Sequence, residues 1–314
     1  MPLKTRFHAD VPVVRSRTWL LGWGFLFLIA ALGCARVNVP FSGVGIKGSG
    51  VLKTEQRPVA GFSKIDASGA VKLEWQADDE PSLEAAVEDN LLPHLVTEVI
   101  GDTLKIYFNT NVQPTKDVVV KAASPGLNGL IGSGATETTL KGVHSDDFKL
   151  ALSGSSRCMM SGQAKALSVE CSGASVLKSD QFEVGSTAVA TSGSAMAEVQ
   201  AKGLKSVHQS GASNVTVSLV SSEELKIDLS GSSHCAVSGQ VNKLTIRAGG
   251  AAAVHAAELK AQSVQVDLGG SSHVDVEAVQ SITGGASGSA SVRYHGSPTR
   301  QAVQTSGSAS VQRK

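Results

Sequence analysis

Leu152-Ser153-Gly154-Ser155-Ser156 is the stretch on which the reading of the fold turns. It returns as Cys171-Ser172-Gly173-Ala174-Ser175, Thr191-Ser192-Gly193-Ser194-Ala195, Leu229-Ser230-Gly231-Ser232-Ser233, Leu268-Gly269-Gly270-Ser271-Ser272 and Thr305-Ser306-Gly307-Ser308-Ala309. Marked by its glycine, the repeat falls at Gly134, Gly154, Gly173, Gly193, Gly211, Gly231, Gly250, Gly270, Gly288 and Gly307, with gaps of 18 to 20 residues. That period, with short apolar stretches and no helical punctuation, predicts one strand-built coil per repeat, each stacked on the last. The expected fold class is all-β: a parallel β-helix or β-solenoid with short coils of 18–20 residues, preceded by an N-terminal β-strand region.

Side chains around the glycine sort by parity, as strand geometry requires. Four residues before it stand Leu150, Val169, Val189, Val207, Ile227, Ile246, Val266 and Val303, and two before it Leu152, Cys171, Thr191, Leu229, Ala248 and Leu268. Both rows are expected inside. Two residues after it come small residues, such as Ser156, Ser175, Ala195 and Ser213. Small residues beside a glycine indicate a sharp corner where two walls approach. The ten glycines are therefore structural corners rather than ligand loops. About ten coils make a rod roughly 45 Å long at the usual strand spacing.

The start of the chain has a different character. Lys4, Arg6, Arg15 and Arg17 precede an apolar run from Trp19 to Leu32, which is a secretory signal pattern. The run falls short of the roughly 20 residues that a spanning helix needs. Ala31-Leu32-Gly33-Cys34 resembles the lipobox at which bacterial lipoproteins are cleaved and lipidated on the cysteine, although Ala31 and Leu32 stand in the reverse of the usual order. The alternatives are an ordinary signal peptide with an incidental cysteine and a retained single-span anchor. Ala35 lacks the aspartate associated with inner-membrane retention, so the expected location is the cell envelope, as an outer-membrane lipoprotein facing the periplasm or the cell surface. Residues 1–33 read as signal peptide, 34–57 as tether, 58–123 as an N-terminal β region and 124–314 as solenoid repeats.

Gly61-Phe62-Ser63-Lys64-Ile65, Ser68-Gly69-Ala70-Val71, Glu88-Asp89-Asn90-Leu91-Leu92 and Gly101-Asp102-Thr103-Leu104-Lys105-Ile106 together resemble the bacterial domain of unknown function described as an autotransporter adhesin head, or GIN domain. The serine-glycine repeats continue the resemblance, which covers about residues 58 to 312. It implies an exported, often lipoprotein-anchored protein of stacked β-coils and brings no enzymatic activity with it.

The chemistry on offer is sparse. With a net charge of +1 and only 18% charged residues, the chain lacks the electrostatic footprint of a nucleic-acid binder. Cys158, Cys171 and Cys235 are an odd number of thiols for an exported protein. Cys158 and Cys235 occupy a core row four coils apart, roughly 19 Å at the usual spacing, which is beyond disulfide reach. Buried free thiols are expected, with a Cys158–Cys171 bridge left open. Three residues before the glycine an outward row reads Glu170, Ala190, His208, Asp228, Arg247, Asp267. It is either a solvated ion-pair row that fixes register or an acid/base patch of the kind that β-helical polysaccharide enzymes gather on one wall. A deep groove along Asp228, Arg247 and Asp267 would favour the second, and coils this short leave no room for cleft-building loops. His234 and His273 share a position with Ala253 between them; two coils put them about 9.6 Å apart, so they read as surface polar residues, and His255 and His295 make no ligand pattern.

The expected function is that of a non-enzymatic cell-envelope scaffold, structural or adhesin-like, without catalytic residues, cofactor or metal. A carbohydrate-binding or glycan-processing β-helix is the alternative. Expected partners are the membrane, through the lipid on Cys34, and a glycan or surface protein; nucleic acid is not among them, and the solenoid ends are candidate sites of self-association.

Overall fold

The computed structural model describes residues 45–219 and 221–314. The signal peptide, Cys34 and the first part of the tether lie outside the described residues. Residues 43–314 form one compact unit. Apart from a single 3-10 turn, Leu92–His94, the ordered elements are strands, and no helix among the described residues is long and apolar enough to cross a membrane.

The chain first lays down β1 (Ile46–Lys47), β2 (Leu52–Gln56), β3 (Lys64–Gly69), β4 (Lys72–Ala77), β5 (Ser82–Glu88), β6 (Leu95–Ile100), β7 (Thr103–Phe108), β8 (Val112–Gln113) and β9 (Val119–Ser124). Then come β10 (Gly129–Gly134) and β11 (Glu137–Leu152), which open the regular stack. β3 pairs in parallel with β7 on one side and β10 on the other, and β4 likewise with β9 and β11. Lys64–Ala77 is thus already a coil of the solenoid, paired directly with the strands that follow residue 124. Gly69 is an eleventh corner: Ala135 donates its N–H to the Gly69 carbonyl at 3.0 Å. The far side of this first coil is closed by antiparallel partners, β6 on β7, β5 on β9 and β2 on β5.

Paired β2 also corrects the tether reading of residues 34–57 from Gly45 onward. β1 pairs with β8, and the strap between β1 and β2 is laced to the turn after β5. The Asn90 amide donates to the Lys47 carbonyl at 2.8 Å, its oxygen accepts from the Ser49 N–H at 2.9 Å, and the Ser49 hydroxyl donates to Asp89. Buried Glu88 binds the Gly50 N–H at 2.7 Å, the Thr115 N–H at 2.8 Å and the Thr115 hydroxyl at 2.6 Å. The Thr115 hydroxyl, with the backbone donors of Thr115, Gly50 and Lys116, holds the Glu88 carboxyl below the usual carboxylate range against the opposing effect of burial. A depressed folded-state pKa stabilises above the unfolded value of 4.5, and that stabilisation is lost as pH falls through the folded value. Amides of the strap, Gly48 to Val51, are therefore expected to lose hydrogen-exchange protection below pH 4.5, and Glu88→Gln is expected to expose them at neutral pH. Unchanged protection in Glu88→Gln would show that the clamp does not hold the strap.

From β10 onward the coils repeat in register, for example Val169↔Val189 and Ile246↔Val266. The inward rows are buried as parity requires: Leu150, Val207, Ile227 and Val266 are 2% exposed or less. Each such side chain contributes roughly 1.5–3 kcal/mol by leaving water. At the last coil Val303, Ala309 and Val311 are only partly buried against one continuous core. Cys158, Cys171 and Cys235 are free and buried, and burial raises the thiols of Cys171 to about 11 and of Cys235 to about 12. They serve as small core hydrophobes.

Candidate functional site

Every repeat glycine from Gly134 to Gly307 has φ between +69° and +76°, a conformation that side chains with a β-carbon disfavour. The corners also touch. A methyl on Gly154 would lie 2.5 Å from the Gly134 carbonyl oxygen, and one on Gly250 2.6 Å from that of Gly231. The residue after each glycine donates its N–H to the glycine carbonyl of the coil before, at 2.7 Å for Ser155 to Gly134 and 2.8 Å for Ala251 to Gly231. Inside the corner, Ser156 is fully buried and its hydroxyl donates to the Ser153 carbonyl at 2.8 Å, which satisfies a group the turn would otherwise strand.

Where the wall bends into this corner it forms a concave groove of about 810 Å³ along the stack, from Ile131 to Ser287. Eight coil steps separate its ends, about 38 Å at the usual strand spacing. One rim is the outward row three before the glycine. Ile131, Ala151, Glu170 and Ala190 form its first half, and His208, Asp228, Arg247 and Asp267 its second. The other rim is the residue just before the glycine, serine in most coils but Gly249 and Gly269 in two. Buried Leu152, Cys171, Thr191, Gln209, Leu229, Ala248 and Leu268 lie between the rims. No cleft-building loop was needed; the groove is the sum of identical bends, each trivial within one coil.

The charged row is a partial ladder. His208 Nδ1 stands 3.3 Å from Asp228 Oδ2, and Arg247 Nη1 is 3.9 Å from Asp228 Oδ1. Asp267, although in register with Arg247, has no ion-pair partner among the described residues, and neither has Glu170. Contacts this exposed are worth about 0–1 kcal/mol, so the row does little to fix the register. Several groove serines are already occupied: the hydroxyls of Ser172, Ser230 and Ser287 donate to the carbonyls of Leu152, Gln209 and Leu268 at 3.4, 3.3 and 3.1 Å.

Gln209 is the residue that parity reading passed over. It is a buried amide in a row of apolar and small side chains; its Nε2 donates to the His234 carbonyl at 3.0 Å, and its Oε1 has no partner in the structure. Nothing in the local pattern marks it beyond the exception itself.

The remaining candidates stay apart from the groove. His234 and His273 sit on the far side of the corner glycine with Ala253 between them in the ladder. Burial first, then the nearby Arg293, lowers the His273 pKa. His295 Nε2 lies 2.9 Å from Asp275 Oδ1. Among the described residues no three His, Cys, Asp or Glu side chains are arranged to hold a metal ion, and no serine hydroxyl or cysteine thiol is hydrogen-bonded to a histidine ring.

Residues 61–218 and 187–298 match the family model described as "Putative auto-transporter adhesin, head GIN domain". Among solved structures, a "putative adhesin" from Parabacteroides merdae is 18% identical with a TM-score of 0.51, covering 86% of this chain and 99% of its own. A second "putative adhesin", from Parabacteroides distasonis, is 19% identical with a TM-score of 0.48 over 85% of this chain and 100% of its own. A "putative lipid binding protein" from the same organism is 20% identical with a TM-score of 0.44 over 86% of this chain and 99% of its own. At these identities the likeness concerns the fold. The chain matches no curated protein.

Proposed function

The chain belongs to the auto-transporter adhesin head GIN domain family, and from that premise we propose that it is a non-enzymatic binding scaffold of the cell envelope. Residues 1–33 direct export, a lipid on Cys34 holds the protein to the outer membrane, and the solenoid presents its axial groove to an extended ligand. The observation that carries the reading is the groove itself, an open concavity of about 810 Å³ that runs along the stack from Ile131 to Ser287. Side-chain pairing for nucleophilic catalysis is missing from the described residues. Adhesin-like membership supports an envelope location.

A glycan ligand is the second reading, favoured by one observation: Asp228, Arg247 and Asp267 do line a groove rim. Two measurements test the proposal. Cells producing the chain are expected to incorporate labelled palmitate into the wild type and not into Cys34→Ala; label in both, or in neither, overturns the anchor. The purified protein on a glycan array and an amphiphile panel is expected to bind saturably and without turnover, and to weaken with Arg247→Gln. Binding indifferent to that substitution overturns the groove as the site, and conversion of a ligand overturns the non-enzymatic reading.

A further inference from the structure

Two glycines on the groove rim have no structural reason to be glycine. A methyl on Gly249 would meet nothing within 4 Å, and one on Gly269 would meet only the Ser287 hydroxyl, at 3.8 Å. Neither has positive φ. Other coils carry serine at this position, including Ser172, Ser210 and Ser230. The fold would accept a side chain at both sites, so their absence leaves a local widening of the groove that the backbone does not require. The widening lies beside Arg247, only loosely paired at 3.9 Å, and Asp267, which has no ion-pair partner among the described residues. An unpaired carboxylate and an underused guanidinium on adjacent coils, about 4.8 Å apart in their backbones, offer one negative and one positive anchor side by side. Towards the N-terminal end the same rim carries Ala190, Ala151 and the half-exposed Ile131, with the exposed Glu170 as the one charged side chain among them.

We infer that the groove binds a single-chain zwitterionic amphiphile. Its head sits in the widening at Gly249 and Gly269, with the cationic group on Asp267 and the anionic group on Arg247, and its acyl chain lies along the groove towards Ala190 and Ala151. The inference rests on the reading of the groove as a binding site and gives it a ligand class. Charge complementarity selects a head with both signs, since either sign alone would leave one anchor facing its own charge or nothing. Width selects the orientation, because the bulk of such a molecule is in its head. A glycan fits less well. No Phe, Tyr or Trp lines the groove to stack on a sugar ring, and the serine hydroxyls at Ser172, Ser230 and Ser287 already spend their protons on backbone carbonyls.

The test is equilibrium binding of dodecylphosphocholine, kept below its micelle concentration, to the purified protein, with dodecyl maltoside and a soluble oligosaccharide set in parallel. Dodecylphosphocholine is expected to bind saturably, at least five-fold more tightly than dodecyl maltoside. Asp267→Asn and Arg247→Gln, both at exposed positions, are each expected to weaken it about five-fold or more. Gly249→Phe is expected to abolish binding while the thermal transition stays in place. Equal affinity for the maltoside, or equal binding by all variants, overturns the zwitterionic head. Oligosaccharide binding that Gly249→Phe blocks, with no amphiphile bound, overturns the amphiphile and leaves the groove as the site. Failure of every probe overturns the groove reading as well.

Discussion

Gly250→Ala is expected to destabilise the protein by about 3 kcal/mol or more, while Gly249→Ala, one residue earlier, changes stability by less than about 0.5 kcal/mol. The two glycines are adjacent in sequence and unlike in structure. Gly250 has φ of +76°, and an alanine methyl there would stand 2.6 Å from the Gly231 carbonyl oxygen. The left-handed conformation alone costs an L-residue roughly 1–2 kcal/mol. Relief of the clash must then lengthen the bond of 2.8 Å from the Ala251 N–H to that same carbonyl. At Gly249 neither penalty exists. Denaturant midpoints for the two variants give the comparison, and hydrogen exchange should place the damage in the coils next to Gly250, because each repeat contacts only its neighbours. Equal midpoints would mean that the corner tolerates a side chain and that the glycine period has another cause.

Phe182→Ala carries the second large effect, an expected loss of about 3–5 kcal/mol. Beyond residue 150 the chain has only Phe182 and Tyr294 as aromatics, so the interior is filled by Val, Leu, Ile and Ala, none of which can grow to close a phenyl-sized void. Phe182 is fully buried, and its ring meets that of Phe148 at a centroid distance of 6.3 Å and an interplanar angle of 60°. Tilted pairs of this kind are worth about 0.5–1.5 kcal/mol beyond their burial. Phe148→Ala should therefore cost a similar amount, and the double variant should lose less than the two single losses combined, by about that coupling. Losses below about 1 kcal/mol, or strict additivity, would mean that the rings do not support each other.

The regular part of the stack was legible because its physics is local. One left-handed corner per coil demands glycine, one-in-one-out alternation demands apolar residues at fixed offsets, and the burial of Leu150, Val207 and Ile246 follows. Gly69 was hidden by the antiparallel strands inserted before the next corner at Gly134, which interrupt the period without interrupting the stack. β2 was hidden because Leu52, Lys53 and Thr54 are all exposed. No alternation marks the strand, and its partners in β5 lie about thirty residues away. The groove escaped for a different reason. Its rim residues were visible as a row, but concavity arises only when identical bends are stacked, and sequence periodicity reports the row without the curvature. Pairing along that row was half legible: Asp228 meets both His208 and Arg247, whereas Asp267 stands in register with Arg247 without an ion pair.

The file of corner glycines has an electrical consequence. From Gly69 to Gly288 each glycine carbonyl accepts an N–H from the following coil, Ala135 to Gly69 at 3.0 Å and the later ones at 2.7–2.8 Å. All these carbonyls thus point the same way along the rod. Aligned peptide dipoles add, and hydrogen bonds in series polarise one another. The corner is a one-way column of dipoles whose positive pole lies at the Gly69 end and whose negative pole lies at Gly307, where the last carbonyls face outward. On the last coil that partial negative charge lies in the same strand layer as Arg313 and Lys314, whose full positive charges oppose it.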